Sequence, residues 1–339
     1  SGADGEPLMD PRGVFYSAAP AEQTGKVAML FPGQGSQYVD MLADAGINFV
    51  EVREALDQAT TELDGAWDRP LARWIYPASS FSDEDRRSRA AELASTDVAQ
   101  PAIGAASIGL LRLLQSLGVR ADCFAGHSYG EWTALCAAGA IDPSSLMQLS
   151  LRRGQLMRDA AEASEPGGMM AVAAGADQVA ALIQPLDGVW LANLNGPAQT
   201  VVSGTEQGLS KLAELAKQSK LKAQRLPVAC GFHSPLVESA AAPLATALRK
   251  AKWHDPATPV YSNVTAAPYA ADQQAIQDQL SGHLRSSVHF HEQIEAMYDA
   301  GVRTFIEVGP GQVLTGLVGR ILHDRRHLAV SSNSKSRSD

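Results

Sequence analysis

The sequence has few cysteines, and their spacing gives them no framework role. Cys123, Cys136 and Cys230 are odd in number and form no Cys-x-x-Cys pair. A disulfide framework needs an even set, and zinc sites usually place two thiolates a few residues apart, so the pattern argues against both. We therefore expect a protein of a reducing compartment, the cytoplasm, with no metal site.

Long hydrophobic runs and clusters of positive charge are also missing. The apolar segments are interrupted well short of the roughly 20 residues that cross a membrane. The 28 Lys and Arg are dispersed and outnumbered by 37 Asp and Glu, for a net charge of -9. We expect neither a membrane nor a nucleic-acid partner. What is present, 339 residues of which 45% are hydrophobic, suits a large globular domain with or without a smaller one.

The two ends differ in composition and periodicity from the rest of the chain. Residues 1–25 show little periodicity, and residues 329–339 are polar and rich in serine. Both segments are predicted to be linkers. Such ends favour a domain cut from a larger polypeptide, although a natural tail or cloning residues would have the same composition.

Between these ends, strand and helix patterns alternate. The apolar run 26–31 predicts a strand, 37–63 a helix, and 101–118 a helix that starts at a proline and ends at a glycine. A strand at 121–126 and further helices follow. This alternation predicts an α/β fold with a parallel sheet flanked by helices. The large subdomain is assigned to residues 26–160 and 229–328.

A different order of elements occupies the middle of the chain. Within residues 161–228 the pattern is β-α-β-β-α-β, which is the ferredoxin-like arrangement. We therefore predict a small ferredoxin-like subdomain inserted between two parts of the large one.

The segment Gly-His-Ser-Tyr-Gly, residues 126–130, lies between a predicted strand and a predicted helix. In this context Gly-x-Ser-x-Gly is a nucleophile elbow, which exposes the serine oxygen above the sheet edge. Ser128 is then the nucleophile, and the amide of Tyr129 points to where an oxyanion would form. The alternative is a tight turn that happens to contain a serine.

A serine nucleophile needs a base, and His233 is the best placed of the eight histidines. It lies downstream of the serine in a polar turn between a predicted strand and a helix. His127 adjoins Ser128, but neighbouring residues in such a turn point apart, so a packing role is expected. His289 and His291 are two residues apart with no cluster of carboxylates or thiolates, which favours a surface helix start over a metal site.

Two further features add candidate binding groups. Arg152 and Arg153 follow each other on an apolar helix, so one is expected to point inward, where its planar fork suits a carboxylate. A surface pair or a structural salt bridge remains the alternative. The loop 31–37, Phe-Pro-Gly-Gln-Gly-Ser-Gln, could supply a second oxyanion amide; it lacks the Lys and Ser/Thr of a phosphate-binding loop.

Taken in order, several motifs resemble the malonyl-CoA:acyl carrier protein transacylase family. They span residues 31–317 and read FPGQGSQ, QPA, GHSYGE, RRGQLM, NLNGPAQTVVSG, FHSP and VGPGQVLTGL. The resemblance implies an α/β-hydrolase-like large subdomain with an inserted ferredoxin-like small one.

The resemblance also implies roles for the matching residues. Ser128 is the acylated nucleophile, His233 the general base, and the backbone amides of Gln34 and Tyr129 the oxyanion hole. Arg153 binds the free carboxylate of the acyl group. In addition, Gln100 matches a glutamine that helps to hold the acyl group, and a backbone carbonyl around His283 is expected to orient the base.

The implied reaction is a ping-pong transfer of a malonyl group. Ser128 takes it from malonyl-CoA, and the phosphopantetheine thiol of an acyl carrier protein receives it, so no permanently bound cofactor is expected. Phe232 precedes the base in Cys-Gly-Phe-His, where the family more often has His-Ala-Phe-His. Its ring is expected to fill the space of an α-methyl group and so to favour malonyl over methylmalonyl.

The sequence leaves open two biosynthetic settings for such a transferase and two competing functions. Tyr129 in GHSYGE resembles iterative synthases, particularly enediyne polyketide synthases and polyunsaturated fatty acid synthases. We therefore expect an acyltransferase domain that works with other domains of a polyketide synthase, with a stand-alone transacylase of fatty acid synthesis as the alternative. The rival functions are a serine esterase or thioesterase, which delivers the acyl group to water, and a docking domain with a relict site.

Overall fold

The structure is a computed structural model that describes residues 8–10, 14–16, 25–163, 165–228 and 230–335. Its first half contains four strands and seven helices among these residues. In chain order they are β1 Leu8–Asp10, β2 Val14–Tyr16, β3 Lys26–Phe31, α1 Ala43–Asn48, α2 Val50–Glu62, α3 Leu71–Ile75, α4 Asp83–Leu93, α5 Thr96–Ser116, β4 Cys123–Gly126, α6 Gly130–Ala137 and α7 Pro143–Ala163.

The middle of the chain has the β-α-β-β-α-β order that the sequence predicts. Its elements are β5 Gly167–Val172, α8 Ala176–Ile183, β6 Val189–Gly196, β7 Gln199–Thr205, α9 Glu206–Gln218 and β8 Ala223–Arg225. A 3₁₀ turn, Pro235–Ala240, opens the remainder. That remainder consists of α10 Ala241–Lys250, β9 Val260–Tyr261, α11 Gln273–Gly282, α12 Phe290–Asp299, β10 Val302–Glu307, α13 Val313–Ile321 and β11 Leu328–Ser331.

Five described strands form a parallel sheet in the order β11-β10-β3-β4-β9. Successive side chains of β3 point to opposite faces. Met29 and Phe31 join the apolar core that includes α2, α5 and α7, and Ala28 and Leu30 join the core beneath α12 and α13. Because both faces are buried, β3 consists almost entirely of apolar residues.

The four strands of the small sheet run antiparallel in the order β6-β7-β5-β8. On β5, Met170 and Val172 pack with α8 and α9, whereas Met169 faces the large subdomain. The two subdomains are joined at Val288, whose amide donates to Ala192 and whose carbonyl accepts from Leu194, both at 2.8 Å. The fold class predicted from the sequence, a parallel α/β sheet with a separate small antiparallel sheet, is confirmed.

Four local features differ from the sequence prediction. The helix expected at 37–63 is interrupted at Phe49, whose extended ψ of 121° separates α1 from α2. The helix α5 begins at Thr96 and continues through Pro101, so the proline does not mark its start. Residues 329–331, assigned to a linker, belong to β11 at the sheet edge, where alternate residues Leu328 and Val330 are exposed. Strands β1 and β2 pair antiparallel inside the other predicted linker.

Within the described ranges, none of the helices combines the length and the apolar character that a membrane crossing requires.

Candidate active site

A sharp turn carries Ser128 from β4 into α6 at the carboxyl edge of the parallel sheet. Ser128 has a φ of 51°, in the left-handed region that serine seldom adopts. A β-carbon at Gly126 would overlap the first turn of α6, and one at Gly130 would overlap the carbonyl oxygen of Phe31. The two glycines therefore allow the close packing that makes this turn a nucleophile elbow.

The predicted base contacts the predicted nucleophile. Ser128 Oγ lies 2.7 Å from His233 Nε2, within reach for direct proton transfer. His233 also has a left-handed backbone, with a φ of 57°. Both Ser128 and His233 thus depend on surrounding contacts to hold a backbone conformation that is costly in isolation.

Two backbone carbonyls fix the imidazole of His233. Its Nδ1 lies 3.1 Å from the carbonyl oxygen of His283 and 3.0 Å from that of Ser286. Because carbonyls only accept hydrogen bonds, Nδ1 carries the proton and Nε2 faces Ser128 with a free lone pair. The carbonyl predicted near His283 lies in this position, whereas the second one, at Ser286, had no sequence signal.

The environment keeps this base neutral. Burial lowers the pKa of His233 to about 3, and the positive charge of Arg153 is the next largest cause. At neutral pH the imidazole is therefore able to accept the proton of Ser128.

The loop that follows β3 packs against the elbow. A β-carbon at Gly33 would overlap the carbonyl oxygen of His127 and would lie 3.6 Å from the amide nitrogen of Tyr129. Among the described residues, the backbone amides of Gln34 and Tyr129 donate to no protein acceptor. Gly33, the neighbour of Gln34, therefore packs directly against the elbow near the amide of Tyr129, and Gln34 and Tyr129 are the residues whose amides are predicted to form an oxyanion hole.

Arg153 points inward from α7, while its neighbour Arg152 is exposed. Arg153 is only 1% exposed, and within the described part of the chain its Nε and Nη2 have no hydrogen-bond partner. Gly154 makes this burial feasible, since a β-carbon there would overlap the backbone of Asp97 on α5. Burying a guanidinium with two unpaired hydrogen-bond donors costs free energy, and an anionic ligand would compensate for this cost by pairing with the donors and the charge.

Arg153 keeps its charge at neutral pH although burial lowers its pKa to about 10. Its guanidinium lies 5.7 Å from the centre of the Trp132 ring. It lines a cavity of about 380 Å³ together with Ser128 and His233. The candidate nucleophile, the candidate base and the cation therefore share one cavity.

Of two other predicted residues, one lines this cavity and the other lies behind its wall. Phe232, 7% exposed, forms part of its wall beside the base. Gln100 is fully buried and is not part of the described lining. Its Nε2 lies 3.5 Å from Gln34 Oε1 and 3.4 Å from Met157 Sδ, so Gln100 contacts the back of the wall rather than the cavity.

His127, His289 and His291 make the packing and surface contacts expected from the sequence. His127 Nε2 lies 2.7 Å from Asn195 Oδ1 of β6, and its ring packs 5.4 Å from that of Phe290. His289 precedes α12 and lies 3.7 Å from Glu292, while His291 lies 3.6 Å from Glu295. His127 therefore links the elbow to the small subdomain.

Behind the elbow lies a buried polar cluster that the sequence patterns did not predict. Asn263 donates to the carbonyl of Gly126 and accepts from the amide of Ser128, each at 2.6 Å. The backbone amide of Asn263 donates to the Glu131 carboxyl group at 3.0 Å, and the Tyr269 hydroxyl donates to the same group. The sequence could have indicated Asn263 only by its position. It is a polar residue just after the buried strand β9, at the sheet edge where β4 also ends.

Burial dominates the ionisation of this cluster. It raises the pKa of Glu131 to about 7, with opposing hydrogen bonds from Tyr269 and Asn263. It also holds the pKa of His283 well below its ordinary value, so the His283 ring, 3.4 Å from Glu131, is neutral. The contact between His283 and Glu131 is thus not a salt bridge, and the cluster is held by the hydrogen bonds that Asn263 and Tyr269 donate to Glu131.

The chain is similar to known proteins over most of its length. Residues 28–335 match the family model described as acyl transferase domain. The chain is 38% identical to the malonyl CoA-acyl carrier protein transacylase of Bacillus subtilis, over 90% of this chain and 93% of that protein. It is 35% identical to one component of the polyunsaturated fatty acid synthase of Thraustochytrium, over 96% of this chain but only 12% of that protein.

Solved structures give the same relationship. One is the malonyl-transacylase of a complex with its type II polyketide synthase acyl carrier protein, with a TM-score of 0.80 and 30% identity. That alignment covers 92% of this chain and 97% of the transacylase. The chain therefore belongs to the acyl transferase domain family, as its ordered motifs predicted.

Proposed function

We propose that this chain transfers a malonyl group from malonyl-CoA to the phosphopantetheine thiol of an acyl carrier protein. The observation that carries the proposal is Arg153, a buried cation with idle donors in the same cavity as Ser128 and His233. A malonyl thioester offers both partners this cavity needs, a carbonyl for the serine and a carboxylate for the guanidinium. A neutral ester would leave the buried charge of Arg153 without a counter-ion.

The first half-reaction forms an ester on Ser128. His233 Nε2 takes the proton from Ser128 Oγ as the oxygen attacks the thioester carbonyl. The backbone amides of Gln34 and Tyr129 stabilise the oxyanion of the tetrahedral intermediate. When that intermediate collapses, the carbon–sulfur bond breaks, and CoA leaves as a thiol with the proton held by His233.

The second half-reaction repeats these steps with a different thiol. His233 takes the proton of the phosphopantetheine thiol, whose sulfur attacks the malonyl ester of Ser128. The carbon–oxygen bond breaks, and Ser128 recovers its proton from His233. Arg153 holds the malonyl carboxylate in both halves, so the ester carbonyl keeps one position for both thiols.

The size of the acyl group is limited beside the base. Phe232 is almost completely buried, and its segment is tied down because Ser203 donates to the carbonyl of Phe232. A ring held in this way opposes an α-methyl substituent, which supports malonyl rather than methylmalonyl as the substrate.

We further propose that the acceptor is the carrier protein of a polyketide synthase and that the chain acts beside other domains of that synthase. The support is Tyr129 in the elbow, which resembles the motif of enediyne-type synthases. In this chain the Tyr129 ring is fully buried, and its hydroxyl has room because residue 104 is a glycine, where a β-carbon would overlap it. A transacylase of fatty acid synthesis is the competing assignment.

Intact-mass spectrometry tests both levels of the proposal. Incubation with malonyl-CoA should add one malonyl group to the chain, and a holo carrier protein should then remove it as malonyl-carrier. Release of free malonate at a rate that the carrier protein cannot outcompete would instead identify a thioesterase, and no labelling would indicate a relict site. Offering polyketide and fatty acid carrier proteins together in equal amounts measures which one is preferred.

A further inference from the structure

Asn263 spans the elbow with its side chain. Its Oδ1 accepts from the amide of Ser128, and its Nδ2 donates to the carbonyl of Gly126, both at 2.6 Å. Ser128 lies outside both β4 and α6, and among the described residues its amide donates to this side chain rather than to a backbone carbonyl. The carboxamide of Asn263 therefore supplies the two hydrogen bonds that the turn lacks.

The backbone of Asn263 reaches the segment that holds the base. Its carbonyl accepts from the amide of His289 at 2.8 Å. This bond is at the end of the segment 283–289, whose carbonyls at His283 and Ser286 fix the His233 ring. One fully buried residue thus contacts both the turn under the nucleophile and the segment behind the base.

We infer that Asn263 is a positioning residue that sets the separation of Ser128 and His233 during acyl transfer, an inference that rests on the proposed function. Ser128 Oγ and His233 Nε2 are 2.7 Å apart. Asn263 is hydrogen-bonded to the elbow that carries Ser128 and, through His289, to the segment whose carbonyls orient His233. Reaction rates are sensitive to such separations, since a displacement of about 1 Å costs about 100-fold. Asn263 lies behind the elbow and acts through Ser128.

The test compares Asn263→Ala with the native protein by the rate at which a small fluorophosphonate labels Ser128. The reagent forms an oxygen–phosphorus bond with release of fluoride and needs no carboxylate clamp. The amplitude of labelling measures the folded fraction, and the rate constant measures the nucleophile. We expect the rate constant to fall about 10- to 100-fold. The KM for malonyl-CoA should stay near the native value because Arg153 is untouched.

Two further variants separate positioning from stability. Thr200→Val removes a buried hydroxyl of the small sheet that is bonded to the carbonyl of Ala174, so it should lower stability while leaving the labelling rate constant native. Asn263→Asp keeps the acceptor for Ser128 but places a carboxyl oxygen against the carbonyl oxygens of Gly126 and Gln293, so its rate constant should also fall below the native value. A native rate constant for the folded fraction of either Asn263 variant would overturn the inference.

The outcome is independent of the substrate assignment. If the native protein reacts with the fluorophosphonate but takes no malonyl group from malonyl-CoA, the proposed substrate is wrong and the positioning role is still measured. If malonyl transfer is found and the Asn263 variants label at the native rate, the positioning role alone is wrong.

Discussion

The two sheets of the molecule contribute very different groups to the cleft between them. The parallel sheet ends in the loop after β3, in the elbow after β4 and in Asn263 after β9. The small antiparallel sheet contributes Met169 and Asn193 to the cavity wall. The candidate reacting groups and their supports thus come from the large subdomain, and the small one encloses them.

The difference follows from strand direction. In a parallel sheet the carboxyl ends of neighbouring strands meet at one edge, where loops from distant parts of the sequence converge. In the small sheet neighbouring strands run in opposite directions, so no edge collects one kind of strand end. Changes at the edge of the large sheet should therefore alter chemistry, whereas changes within the small sheet should alter stability or the fit of the acyl group.

The largest expected effect is at the elbow itself. Ser128→Ala removes the atom that carries the acyl group in the proposed reaction, so malonyl transfer should fall by at least about 1,000-fold and covalent labelling should disappear. Intact-mass spectrometry after incubation with malonyl-CoA measures this directly. A malonyl adduct on the variant would place the nucleophile elsewhere.

The next effect separates the two neighbouring arginines of α7. Arg153→Ala should lower kcat/KM for malonyl-CoA by about 100-fold, since a charge-assisted bidentate contact is lost. Arg152→Ala is the matched control: it removes the same side chain from an exposed position and should leave kcat/KM near native. If both variants transferred malonyl equally well, Arg153 would not bind the carboxylate.

The third effect concerns pH. Because the pKa of His233 is lowered to about 3, fluorophosphonate labelling should stay constant from pH 8 to well below 6.5, the value of a free imidazole. Arg153→Ala removes the positive charge that contributes to this lowering, so the acid limb of its labelling rate should move to higher pH. Labelling that halves near pH 6.5 in the native protein would contradict the buried, neutral base.

The same shift affects stability in acid. An unfolded His233 binds a proton below about pH 6.5, whereas the folded one does so only near pH 3. This group therefore stabilises the folded protein above pH 6.5, and the contribution is lost as the pH falls toward 3. Labelling amplitudes at each pH show how much protein remains folded.

Sequence patterns predicted the features that depend on local chemistry. The glycines of the elbow, the alternation of strands and helices and the order of motifs each have a local cause, and the fold class and family followed from them. Asn263 could not be found this way, because its partner Ser128 lies 135 residues away. Gln100 shows the same limit: its place in a motif was visible, but only the packing of α5 directs its side chain to Gln34.

A smaller effect should distinguish the wall of the cavity from its chemistry. Phe232→Ser opens space beside the base, so the ratio of kcat/KM for methylmalonyl-CoA to that for malonyl-CoA should rise about 10-fold. The fluorophosphonate rate should change much less, because Ser128 and His233 keep their contact. Competition between the two CoA esters, scored by the mass of the acyl-enzyme, measures the ratio. An unchanged ratio would assign selectivity to other wall residues.

The smallest effect on activity is expected inside the small sheet. Thr200 of β7 is fully buried, and its hydroxyl donates to the carbonyl of Ala174 at 2.9 Å. Thr200→Val keeps the side-chain shape but leaves that carbonyl without its partner, so the free energy of unfolding should fall by about 1–2 kcal/mol. Urea denaturation measures the loss, and kcat for malonyl transfer should remain native because the edge of the parallel sheet is unaffected. A fall in kcat as large as that of Asn263→Ala would show that the small sheet also positions the reacting groups, and the division between the two sheets would then fail.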